Sequence, residues 1–285
     1  MRMIKVSTTA AALGLAAAFC AGQTRKETRM EIAPGGTVNI INNGGSVNLK
    51  PGSGNQVVVE YTTHSDKVEV DQTSTADRRR IEIRTHVLPE QKPAAEESKI
   101  DYEITIPVGV SVSVTTATAP ITVEGLSGEI SLSSDTGQVT VSNVKRSHVH
   151  VRGVAAPVSM SNVTLGHVDI AANGGSVQLA NVTGPKVSVA TTSGNIAYQG
   201  DCSGVGSYLM TTHSGSIELT LPQTASVDLT ARSVSGVVEN DFPLQKKTHT
   251  SFVPKTGSSF AGTSNSGSSS VELQSFSGRI RVKKQ

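Results

Sequence analysis

The sequence predicts an all-β protein, a right-handed parallel β-solenoid with an irregular β cap at its N-terminal side. Three observations carry that expectation. A short phrase recurs eight times between Thr118 and Ile280: two small residues, a spacer, then a branched aliphatic. Thr118-Ala119-Pro120-Ile121, Gly174-Gly175-Ser176-Val177, Ser214-Gly215-Ser216-Ile217 and Ser277-Gly278-Arg279-Ile280 are four of the copies. The aliphatic positions lie 18, 19, 19, 19, 21, 21 and 42 residues apart. A period near 20 built from strand-like segments marks a solenoid, and the last step reads as two periods of 21. Between the phrases runs a second ladder of alternating apolar pairs, Ile130/Leu132, Val149/Val151, Val168/Ile170 and Val187/Val189, each 19 residues from the next. Finally, the chain has 27 Gly, 5 Phe, 4 Tyr and no Trp. A core without large rings must be built from Val, Ile and Leu, which suit the thin interior between stacked strands.

The elements follow in chain order. Residues 1–22 are expected to be a signal peptide: Arg2 and Lys5 precede an Ala- and Leu-rich stretch from Val6 to Phe19, too short to span a bilayer. Cleavage is expected after Cys20 or Gly22, with lipidation of Cys20 as a second reading that the bulky Phe19 before it disfavours. No later segment is apolar for long enough to cross a membrane. Residues 30–116 read as an irregular cap continuous with the solenoid, with a separate small β-sandwich as the alternative; strands are expected at Val38–Ile41, Val47–Leu49, Val57–Tyr61, Val68–Val70, Ile81–Arg84, Tyr102–Ile106 and Val110–Val114. Lys50–Asn55 is expected to be a turn, and the Pro- and Glu-bearing Leu88–Lys99 a solvated loop.

Residues 117–285 read as regular rungs, two short strands each. Alternation turns Ile130 and Leu132 inward and Glu129 and Ser131 outward. Asn143, Asn162 and Asn181, spaced by 19, are placed at a corner because Asn tolerates left-handed backbone. Residues 241–270 are expected to interrupt the ladder as a Gly/Ser-rich flexible insertion. The last rung, Val271–Lys283, is expected to close the array, its basic residues guarding an open edge. A single rung orders about 19 residues around a handful of aliphatics, so it is stable only when stacked.

Three stretches carry a family resemblance: Ala33-Pro34-Gly35-Gly36-Thr37-Val38-Asn39-Ile40, Tyr102–Val110 with the rungs that follow, and Ser214–Leu219 with Ser277–Ile280. Together they resemble the exported bacterial "putative adhesin" family, a domain of unknown function with a β-solenoid fold. The resemblance implies a cell-envelope protein with an adhesive or envelope-stress role. That family supplies no catalytic residues to carry over.

The surface chemistry is sparse. The 19-residue register places His148, His150, His167 and Asp169 in a square on one exposed face. Three imidazoles and a carboxylate are plausible ligands for Zn or Cu, set against an ordinary solvated face with no second shell. A polysaccharide-cleaving solenoid would need two facing carboxylates. The acids available are Asp135, Asp169, Asp201 and Glu218, with Glu239 in register with Glu218. No aromatic platform for sugar rings is evident, and no nucleophile elbow, phosphate loop or Cys pair is present. Cys202 is expected to be an inert thiol. A net charge of +2 gives no case for nucleic acid. The reading is therefore a non-catalytic, exported envelope binding protein without cofactor, which presents a hydroxyl-rich β face to a protein or glycan surface. An envelope-stress sensing or regulatory module is the alternative, and a carbohydrate-active enzyme stands behind both.

Overall fold

The computed structural model describes residues 24–88, 93–202, 205–247 and 254–285. The expected signal peptide and Cys20 lie outside the described residues. The N-terminal part contributes β1 (Thr24–Glu31), β2 (Thr37–Asn42), β3 (Gly45–Gly52), β4 (Gln56–Thr63), β5 (Val68–Ser74), β6 (Arg80–Val87), β7 (Ile100–Pro107) and β8 (Ser111–Thr116). The repeats contribute β9 (Ile121–Glu124), β10 (Glu129–Ser134), β11 (Val139–Ser142), β12 (His148–Gly153), β13 (Val158–Thr164), β14 (His167–Ala172) and β15 (Val177–Thr183). They continue with β16 (Lys186–Thr191), β17 (Ile196–Gln199), β18 (Ser207–Thr212) and β19 (Ile217–Leu221). The C-terminal part holds β20 (Val227–Ser233), β21 (Val238–Asn240), β22 (Gln245–Lys246), β23 (Ser259–Ser264), β24 (Ser269–Ser275) and β25 (Ile280–Lys284).

These strands form two mostly parallel sheets, the arrangement of a β-solenoid. The 12-stranded sheet A runs β1-β4-β7-β3-β9-β11-β13-β15-β17-β19-β25-β21, and the 13-stranded sheet B runs β22-β23-β20-β24-β18-β16-β14-β12-β10-β8-β2-β6-β5. Each regular rung gives one strand to each sheet. The register follows the sequence period: His148 pairs with Glu129 on one side and His167 on the other, and His167 with Lys186. Alternation buries one side of every strand, as in β14, where Val168, Ile170 and Ala172 are buried and His167, Asp169 and Ala171 exposed. One continuous cluster runs from Ile32 to Val282, built mainly of Val, Ile and Leu. Three of the four tyrosines, Tyr102, Tyr198 and Tyr208, are fully buried in it. The Tyr198 hydroxyl donates to the Val182 carbonyl at 2.8 Å, so its burial leaves no polar atom stranded.

The repeated phrase has a steric origin. At the corner between sheets the backbone of one rung lies directly on the next. A Cβ added to Gly194 would sit 2.1 Å from the Gly175 carbonyl oxygen, and one added to Gly278 would sit 1.8 Å from the Gly215 oxygen. Buried hydroxyls tie the same corner: Ser134 Oγ donates to Gly137 O at 2.8 Å, and Thr191 Oγ1 to Gly194 O at 2.8 Å. At a second corner, Asn143, Asn162 and Asn181 all adopt the left-handed conformation, with φ of 56°, 54° and 54°. Their amides stack, Asn162 Nδ2 donating to Asn143 Oδ1 at 3.3 Å and Asn181 Nδ2 to Asn162 Oδ1 at 3.4 Å.

The ends differ from the sequence expectation. The step of 42 does not skip a period. Val271 pairs with Tyr208 on one side and Leu229 on the other, and Ile280 lies between Ile217 and Val238. The last rung therefore slots between two earlier ones, so β25 is interior and its basic residues guard no edge. Sheet A ends instead on the three-residue β21. The N-terminal side repeats the device: β2 lies between β8 and β6, and β3 between β9 and β7. Within 241–270, read as flexible, β23 pairs antiparallel with both β20 and β22. The turn expected at Lys50–Asn55 starts later, because β3 continues to Gly52 alongside β7. β1 escaped the sequence reading altogether, since the alternation in Thr24–Glu31 is one of charge and not of hydrophobicity.

Candidate functional site

The solenoid offers two broad faces of different chemistry. Sheet B carries ionisable groups at its centre. Its central strands β10, β12, β14 and β16 align Glu129, His148, His167 and Lys186 in one outward row, with Ser131, His150, Asp169 and Ser188 beside them. The four residues singled out from the sequence thus share a face, but as two separate pairs. His167 Nδ1 and His148 Nε2 lie 3.0 Å apart, with the rings edge-on at 4.6 Å between centroids. His150 Nδ1 and Asp169 Oδ2 are 3.7 Å apart. Among the described residues no group of three or more His, Cys, Asp or Glu is placed to hold one metal ion.

The central strands of sheet A, β11, β13, β15 and β17, turn neutral polar groups outward. Thr140, Ser159, Gln178 and Ala197 form one outward row, and Ser142, Ser161, Ala180, Gln199 and Thr220 a second. The small alanines leave a shallow concavity of about 220 Å³ bounded by Ser159, Ser161, Gln178, Gln199, Glu218 and Thr220. Parallel in-register strands stack outward side chains row on row, which keeps this face even.

The acids do not converge. Asp135 sits in an exposed turn, Asp201 follows β17, and Asp169 lies on sheet B while Glu218 lies on sheet A. Glu218 and Glu239 are not neighbours, since inserted β25 puts Arg281 opposite both. Lys283 Nζ holds Glu218 at 2.7 Å, and Arg281 lies 3.7 Å from Glu239 and 3.2 Å from Asp241. Each of these acids faces a cation and not a second carboxylate, so the facing pair that glycoside hydrolysis needs is not assembled there. Cys202 is buried, and burial pushes its thiol up to about 12, so the reactive thiolate is suppressed.

The same insertion creates one feature that the sequence reading missed. Phe276, half exposed, stacks on His213, with ring planes 5° apart and centroids at 4.8 Å. The two residues come from the corners after β24 and β18, which become neighbours only when β24 enters sheet B beside β18. Linear spacing carries no signal for that contact.

A two-sheet β-solenoid with flat polar faces defines the class of this protein. Residues 37–283 match the Toastrack DUF4097 family, and the chain belongs to it. Among solved structures, it is similar to the "putative cell adhesion protein" of Clostridium sporogenes, with 15% identity and a TM-score of 0.31 over 92% of this chain and 100% of that one. It is also similar to the "putative adhesin" of Bacteroides fragilis, with 11% identity and a TM-score of 0.45 over 92% of this chain and 97% of that one. No curated protein matches at a significant level.

Proposed function

We propose that this chain is a non-catalytic binding protein of the cell envelope, exported through its N-terminal leader, with sheet A as the contact face for a glycan or protein surface. One observation carries the reading: the continuous field of Ser, Thr, Gln and Ala on sheet A, free of ion pairs until Glu218. Hydroxyls and amides in a flat array donate and accept hydrogen bonds without the desolvation cost of buried charge. Contact spread over many rungs gives avidity from individually weak bonds. The engaged state of Glu218 and the dispersal of the other acids favour binding over hydrolysis.

The test places a charge in the middle of that field. Ala197→Arg, at an exposed position, should abolish adhesion of cells displaying the protein, and should remove binding of the purified protein to envelope glycans. An equivalent charge on sheet B, Ala171→Arg, should leave both intact. Loss of binding with Ala171→Arg but not with Ala197→Arg would move the site to the other face. Turnover of a polysaccharide panel that disappears in Glu218→Gln would replace the proposal with an enzyme.

A further inference from the structure

The outermost described strand of sheet A has an edge that no other described strand pairs with, and its sequence is self-complementary. β1 pairs on one side with β4, from Thr24 opposite Thr63 to Glu31 opposite Gln56. On its other side no strand follows among the described residues. Beyond the β2/β3 rung, sheet A adds β7, β4 and β1, whereas sheet B adds only β6 and β5. β1 therefore overhangs by one strand, about 4.8 Å. Beneath it lies a polar cleft of about 740 Å³ lined by Lys26, Tyr61, His64, Asp66, Glu69 and Glu97.

Alternation divides β1 into two rows. Met30, on the inner row with Lys26 and Thr28, packs against the core. Arg25, Glu27, Arg29 and Glu31 form the outer row, positive and negative in turn. We propose that β1 pairs antiparallel with β1 of a second copy of this chain, about a two-fold axis through Thr28.

The register follows from charge. A two-fold axis normal to the sheet keeps every side chain on its own face, so facing residues belong to the same row and the axis passes through a residue. Centred on Glu27, the pairing sets Arg25 against the partner's Arg29 and Glu27 against itself. Centred on Arg29, it sets Glu27 against the partner's Glu31 and Arg29 against itself. Centred on Thr28, it sets Arg25 against the partner's Glu31 and Glu27 against the partner's Arg29, and symmetry repeats both pairs. Opposite charges directly across a strand pair stabilise it and like charges destabilise it. The charges that normally deter edge pairing here deter every register near the centre of the strand but one.

Within one protomer Arg29 bonds Glu27 at 2.7 Å, Arg25 bonds Glu60 and Arg78 bonds Glu31. The side chains of Arg25, Arg29, Glu27 and Glu31 nevertheless stay 67%, 61%, 46% and 46% exposed, open to a second partner. The overhang removes the obstacle from sheet B: each β5 stands roughly 14 Å, three strand spacings, from its counterpart. The dimer merges two 12-stranded sheets into one and doubles the polar field of sheet A, independently of what that field binds. Two strands alone form less than a standard interface, so the association is weak, concentration-dependent and weakened by salt.

Two measurements on the purified protein test this. In sedimentation velocity the wild type should dimerise with rising concentration. Glu27→Arg should weaken association on the order of tenfold, and Glu27→Arg/Arg29→Glu, which exchanges the charges and keeps them complementary, should restore it. Under mild oxidation Thr28→Cys should cross-link across the axis, because residues facing each other in a strand pair lie about 4.5–5.5 Å apart at Cα, within disulfide reach. Glu27→Cys should stay at the wild-type background. A double exchange that fails to recover, or Thr28→Cys cross-linking no better than Glu27→Cys in folded protein, overturns the proposal.

Discussion

Gly175→Ala, read beside Gly174→Ala, isolates the steric logic of the repeat. The two glycines are adjacent in one turn, and neither has a positive φ. A Cβ at Gly175 would lie 1.9 Å from the Ala156 carbonyl oxygen and 2.4 Å from its carbon, far inside van der Waals contact. A Cβ at Gly174 would meet nothing nearer than Ser193 Oγ and Val154 O, both at 3.7 Å. To admit the methyl at 175 the rungs must part, stretching the 2.8 Å bonds from Gly174 N to Val154 O and from Val158 N to Ser176 O. Overpacking costs about 1–3 kcal/mol, and each weakened bond about 0.5–1.5 kcal/mol. The stiffer unfolded chain returns only about 0.4–1 kcal/mol. Gly175→Ala should therefore destabilise by about 1–5.5 kcal/mol, while Gly174→Ala should be neutral or stabilising by up to about 1 kcal/mol. Urea unfolding followed by far-UV circular dichroism measures both, with the slope checked for constancy across variants. Two variants within about 0.5 kcal/mol of each other, a difference typical of neutral surface changes, would refute a steric origin for the repeat.

Three further outcomes follow from the same structure. Asn162→Ala should cost about 1 kcal/mol or more, since Ala tolerates φ of 54° poorly and breaks the amide ladder, whereas Asn162→Gly should recover the backbone part; equal melting temperatures for the two would contradict this. Burial raises the ionisation of Cys202 to about 12 and that of Tyr102, Tyr198 and Tyr208 above the usual phenol range. The unfolded chain therefore releases these protons first, so stability is complete below about pH 8.5 and falls as pH rises from there towards 12. A melting temperature that stays flat through this alkaline range would count against it. Zn or Cu should leave the melting temperature of the wild type unchanged, because His148/His167 and His150/Asp169 form separate pairs; a stabilising shift abolished by His148→Ala/His167→Ala would establish a metal site.

The rung register was legible in the chain because parallel stacking repeats the same contact at a constant interval. The 19-residue step alone puts His148 beside His167 and His150 beside Asp169, and the Asn corner follows from one backbone conformation repeated three times. The ends were not legible. The interval between Val238 and Ile280 is the same whether the last rung follows β21 or slots in beneath it, and only the pairing of Ile280 with Ile217 decides. The position of Arg281 between Glu218 and Glu239, the stacking of Phe276 on His213, and the antiparallel β23 all descend from that one choice.

By itself, then, the sequence determined the two-strand rung, its alternation and its glycine-bearing corners, because these depend on residues close in the chain or one period apart. Only the tertiary structure decided the order in which the terminal rungs stack and which strand is left at each edge. Insertion between existing strands satisfies the same hydrogen-bond ladder as addition at the end, so no local preference distinguishes them.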